Sequence, residues 1–211
     1  MINATSAAAL AVSMFFAPFS STTVPPTGKI LIDVVTVTGQ ACPAGSTAVA
    51  LAADNTAFSV TFSGRLAQGG GASTPLADIR KTCQLSLRVH VPSGFTYAIA
   101  EATYRGSASL ASGATGSVRA SHNFQGDTTA PPAILTFAGP FEDSWQLIDK
   151  TADPSLVFLQ CGQDRNLTIS LETRVNPGTA GPAAVNAISL DPMDGSSAIV
   201  YRFAWQHCPA A

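Results

Sequence analysis

Lys81-Thr82-Cys83-Gln84-Leu85-Ser86-Leu87-Arg88-Val89-His90-Val91-Pro92 alternates almost without a break. Cys83, Leu85, Leu87, Val89 and Val91 fall on one side, and Gln84, Ser86, Arg88 and His90 on the other. A period of two belongs to a strand with one buried and one wet face. Upstream, Gly39-Gln40-Ala41-Cys42-Pro43-Ala44-Gly45-Ser46 sets a second cysteine in a turn-forming run. Together they read as a disulfide-stapled β protein. Neither stretch holds a nucleophile, a metal cage or a phosphate cradle, so they speak to fold and compartment rather than to chemistry.

Working outward, residues 30–37 are rich in β-branched side chains, and 47–52 with 57–62 flank Asp54-Asn55 as a hairpin. Residues 63–81 carry Gly69-Gly70-Gly71 and Pro75 and read as a loop. The turn Pro92-Ser93-Gly94 leads into Phe95, Tyr97 and Ile99 at alternate positions, a hairpin partner for the Cys83 strand. Further strands are expected at 118–124, 134–137, 156–159, 166–175 and 199–205, with a loop at 127–132. The acidic stretch 141–153 around Trp145 shows no strand pattern. No segment of helical period and no fixed repeat occurs. About ten short strands at regular turn spacing predict an all-β, antiparallel β-sandwich or jelly roll.

A chain of 211 residues suits one such domain, expected over 29–211. Residues 1–28 are expected to be a signal peptide and a Ser/Thr/Pro-rich linker. Ala7 to Phe19 has the length of a signal-peptide apolar region, although no Lys or Arg precedes Lys29. It is also the longest apolar run, short of a membrane span. Charged residues are 11% of the chain against about 25% in an ordinary soluble domain. The surface must therefore be polar through hydroxyls and amides. Formal net charge is −2 and the basic residues are scattered, apart from Arg80-Lys81, which excludes nucleic acid as a partner.

Cys42, Cys83, Cys161 and Cys208 match neither CxxC nor a zinc-finger spacing, so disulfides and an oxidising compartment are expected. Three connectivities exist. Cys42 with Cys83 and Cys161 with Cys208 is favoured, because each pair brackets a compact set of strands.

A family resemblance rests on Gln40-Ala41-Cys42-Pro43-Ala44-Gly45, Asp54-Asn55-Thr56-Ala57-Phe58, Cys83-Gln84-Leu85, His90-Val91-Pro92-Ser93-Gly94-Phe95, Tyr104-Arg105-Gly106, Phe124-Gln125-Gly126, Gly139-Pro140-Phe141, Cys161-Gly162 and Trp205-Gln206-His207-Cys208. From about Ile30 to Cys208 the chain resembles the secreted domain of unknown function numbered forty-three sixty, found in fungi and bacteria. The resemblance implies a small secreted protein with two disulfides, and it brings no catalytic residues. The loop from Asp127 to Leu135, with Pro131-Pro132, is less polar than the resemblance implies.

No Gly-x-Ser-x-Gly elbow occurs, and no catalytic residue is assigned. His90, His122 and His207 read as structural or surface histidines rather than bases or zinc ligands. Glu101, Glu142, Asp143, Glu172 and Asp194 are the carboxylates a glycosidase could pair. No cofactor is expected, with calcium on Asp143, Asp149, Asp153 or Asp164 the one metal kept open. Asp191-Pro192-Met193-Asp194-Gly195-Ser196 reads as a turn. Tyr201 and Trp205 are expected in the core. Trp145, outside any strand pattern, is the expected surface aromatic, with Tyr104, Arg88 and His90 as further ligand-facing candidates. Asn166-Leu167-Thr168 is an N-glycosylation sequon on the outward face of its strand.

The expected function is that of a secreted, non-enzymatic module binding an extracellular surface or polysaccharide. The alternatives are a secreted hydrolase of glycans or proteins, and a secreted inhibitor or effector of another protein acting through the loop 63–81.

Overall fold

The alternation around Cys83 becomes the second strand of a five-stranded sheet. In the computed structural model, which describes residues 24–62, 67–69, 74–128, 130–181, 183–190 and 199–209, the elements are β1 (Leu31–Thr38), β2 (Thr47–Leu51), β3 (Ala57–Phe62), β4 (Ala67–Gly69), α1 (Leu76–Ile79), β5 (Arg80–His90), β6 (Phe95–Leu110), β7 (Thr115–Phe124), β8 (Ala133–Ala138), β9 (Phe141–Lys150), β10 (Leu167–Asn176), β11 (Asn186–Ser189) and β12 (Ile199–His207). One antiparallel sheet has the order β1-β5-β10-β7-β8. The other runs β2-β3-β12-β6-β11-β4, with β9 on the free side of β6. Of the expected signal peptide and linker over residues 1–28, residues 1–23, with the apolar stretch 7–19, lie outside the described residues.

One core lies between the sheets, and the period-two pattern fills it from both sides. β5 supplies Leu85 and Leu87, and β10 supplies Leu167, Ile169 and Leu171. Across from them stand Ile199, Tyr201, Phe203 and Trp205 of β12 with Tyr97, Ile99 and Tyr104 of β6. The rings interlock: Phe58 stacks on Tyr201 at 4.9 Å, and Tyr97 meets Phe203 edge-on at 5.4 Å.

The disulfides are Cys42–Cys83 and Cys161–Cys208, closing separations of 41 and 47 residues. By loop-closure entropy each contributes about 4 kcal/mol. Gly39 makes the first possible: at φ +126° it lies against the Thr82 carbonyl, where any Cβ would sit 2.1 Å from the oxygen. The next turn then carries Cys42 beside Cys83, with the Ala41 N–H donating to Thr82 O at 3.0 Å.

Four expectations need correction. β5 and β6 do not form a hairpin. Both sides of β5 are taken by β1 and β10, so the turn through Gly94 (φ +83°) delivers β6 to the opposite sheet. The acidic stretch 141–153 is largely strand, because β9 pairs with β6 from Glu101 to Leu110. Residues 156–159 join no sheet, although the Leu159 N–H donates to Tyr97 O at 3.0 Å. Within 63–81 the described residues hold β4, α1 and the start of β5 rather than loop alone. The packed region also reaches upstream of residue 29: Pro26 is buried, and Asn55 Nδ2 donates to its carbonyl at 2.8 Å.

Candidate functional site

On the outer face of the five-stranded sheet, alternation turns the even-numbered residues of β5 and β10 and the odd-numbered residues of β7 to the surface. The register aligns them in rows across the strands. Thr38, Gln84, Ser170 and Ser121 form one row, Thr82, Glu172 and Arg119 the next, and Arg80, Arg174 and Ser117 a third. A groove of about 570 Å³ runs over the first two rows and Arg80, with Gly39 and Pro132 also on its walls, while Arg174 and Ser117 stand on the same face outside its lining. Its chemistry is hydroxyl, amide and guanidinium, with one carboxylate, that of Glu172.

Glu172 is held by Arg80, whose Nε and Nη2 both donate to Oε2 at 2.9 and 2.5 Å. The carboxylate in turn raises the Arg80 pKa above its ordinary value. Arg119 and Arg174 have no carboxylate partner among the described residues. Further along the face, Arg88 lies 3.4 Å from Asp164 and donates to Asn166 Oδ1 at 3.3 Å, and His90 meets Asp33 at 2.8 Å. Arg88, His90 and the sequon asparagine thus border the same face as the groove.

Trp145 and Tyr104 do not face solvent, which corrects the expectation of ligand-facing rings. Trp145 is 6% exposed. As an inward residue of β9 it lies over Gly106, in a slot that exists because Gly106 has no Cβ, and packs against Phe137 at 6.0 Å. Tyr104 is fully buried and meets Tyr201 edge-on at 6.0 Å. Among the described residues no aromatic ring lines the groove.

Inside the sandwich His122 points inward from β7, its ring 6.1 Å from Tyr201 of the opposite sheet. Its Nδ1 is buried without a hydrogen-bond partner among the described residues. Burial holds its pKa below the ordinary value, opposed by the nearby Asp149 carboxylate. Burial likewise pushes the Tyr97, Tyr104 and Tyr201 phenols well above their usual range. Beside His122 a cavity of about 110 Å³ is lined by Ile99, Phe124, Leu167, Asn123 and Asp127, among others.

The candidate carboxylates are scattered. Glu101 lies on the outer face of the seven-stranded sheet, 3.5 Å from Arg202, while Glu172 lies on the other outer face. Glu142 and Asp143 are on β9, and Asp194 with the turn 191–196 is outside the described residues. Among the described residues no three His, Cys, Asp or Glu side chains gather around a point, and this includes Asp143, Asp149, Asp153 and Asp164.

Sequence reading marked the outward residues of β5 and β10 but missed Arg119 and Ser121. Alternation within β7 could have found them. Their placement beside β10 rests on a pairing between strands about 50 residues apart, which no local pattern encodes.

The sequence matches, over residues 28–208, the family described as a domain of unknown function, DUF4360. It is also 29% identical over 185 residues to an uncharacterized secreted protein of Arthroderma benhamiae, a similarity covering 87% of this chain and 74% of that protein. With that relative and two disulfides of the kind that persist in oxidising compartments, the protein is a secreted one. The match takes in both disulfides and every strand from β1 to β12, and the chain belongs to the DUF4360 family.

Proposed function

We propose that the protein is a non-enzymatic extracellular module that binds polysaccharide across the outer face of its five-stranded sheet. The groove over β5, β10 and β7 carries this reading, since its walls present hydroxyls, an amide and guanidinium groups at regular strand spacing. Such groups exchange hydrogen bonds with sugar hydroxyls, and an extended chain matches rows running across strands. The separation of Glu101 from Glu172 supports binding over glycosidic hydrolysis, which needs two carboxyls flanking one bond. Export by the apolar segment 7–19 and a glycan on Asn166 belong to the same proposal.

The test is retention of the folded protein on insoluble cell-wall polysaccharides. Retention is expected on at least one of them, weakened by Gln84→Ala with Ser170→Ala. A folded sample retained on none removes the reading.

A further inference from the structure

Three of the chain's eleven basic residues, Arg80, Arg119 and Arg174, stand around one carboxylate, Glu172. Among the described residues, three guanidinium groups against one carboxylate leave two positive charges uncompensated, on a protein whose formal net charge is −2. Arg80 and Arg174 are moreover directly opposite each other on neighbouring strands. Like charges so placed oppose sheet pairing. Among the described residues Glu172 engages only Arg80 within hydrogen-bond distance, and neither Arg119 nor Arg174 meets a carboxylate, which leaves their donor forks open to a ligand.

We propose that Arg119 and Arg174, with Arg80 beside them, dock the carboxylate groups of an acidic, uronate-type polysaccharide. This rests on the reading of the outer face as a glycan-binding surface and names the class of glycan. A guanidinium presents parallel N–H groups that match a carboxylate two-to-two, which an ammonium does not. Here two unpaired forks lie in adjacent rows, and the row of Thr38, Gln84, Ser170 and Ser121 beside them supplies partners for sugar hydroxyls. A bound uronate would also relieve the repulsion between Arg80 and Arg174. Charge complementarity thus selects an anionic glycan over a neutral one.

The experiment compares retention on immobilised polygalacturonate with retention on its methyl ester, which has the same backbone without the charge. Wild-type protein is expected to be retained on the acid form, to be released by added salt, and to pass through the ester. Arg119→Gln with Arg174→Gln, at two outward positions, is expected to weaken retention about tenfold or more with a melting temperature equal to or above that of the wild type, since the charge opposite Arg80 is removed. Equal retention on acid and ester overturns the arginine assignment and leaves glycan binding standing. Undiminished retention of the folded double variant overturns it too. Retention on neither form, nor on any neutral wall polysaccharide, defeats the underlying reading instead.

Discussion

Tyr97 shows what a single buried atom does to this core. Its ring is fully buried and meets Phe124 and Phe203 edge-on at 5.3 and 5.4 Å, while its hydroxyl has no hydrogen-bond partner among the described residues. The ring contributes packing, and the hydroxyl contributes a desolvation cost. Removing a buried polar atom that lacks a partner is neutral or stabilising, unlike removing one partner of a pair. Tyr97→Phe is therefore expected to keep the fold and to leave stability unchanged or raise it by up to about 1 kcal/mol, read from urea unfolding. A loss of that size would instead mean that an ordered water satisfies the hydroxyl. Trp205 is the contrasting case, since its indole N–H donates to the Asn55 carbonyl at 3.0 Å.

At the level of elements, the strands whose alternation is self-evident were legible from sequence: β5, β10 and β12 each bury every second side chain. What stayed hidden was pairing. Phe141, Trp145 and Leu147 alternate within β9, but charged neighbours dilute the pattern until β6 is seen beside it. Likewise Pro92-Ser93-Gly94 specifies a turn without specifying whether the chain returns to the same sheet or crosses to the other. The groove was legible only in part for the same reason, because Arg119 reaches it through non-local pairing. Gly106 concentrates the point: a Cβ there would lie 2.0 Å from the Ser189 carbonyl oxygen and 2.4 Å from the Trp145 ring. Both neighbours are held by pairing to β6, so neither can withdraw cheaply. Gly106→Ala is expected to cost about 1–3 kcal/mol and to raise Trp145 fluorescence exposure, measured by denaturant titration with quenching. An unchanged midpoint would show that β9 is loosely paired.

Across the whole molecule, a histidine that titrates near neutral pH when exposed lies at the interface of the two sheets, because His122 of β7 faces Tyr201 of β12. Burial depresses the histidine pKa in the folded protein, and Asp149 only partly offsets it. In the unfolded chain the imidazole titrates near its ordinary value of about 6.5. Between the two values the unfolded state binds the proton and the folded state does not, so stability rises with pH through that window. The contribution is fully present above the unfolded value and is lost as pH falls through the folded one. For a single proton the slope reaches at most about 1.4 kcal/mol per pH unit. Because the ring lies between sheets, protonation weakens the interface that every strand shares, and the effect should appear as one cooperative loss rather than local fraying. Urea midpoints measured from pH 7.5 downward are expected to fall below about pH 6.5, and His122→Gln is expected to flatten that segment of the profile. A variant whose midpoint declines in parallel with the wild type would assign the acid sensitivity to the carboxylates on the surface instead.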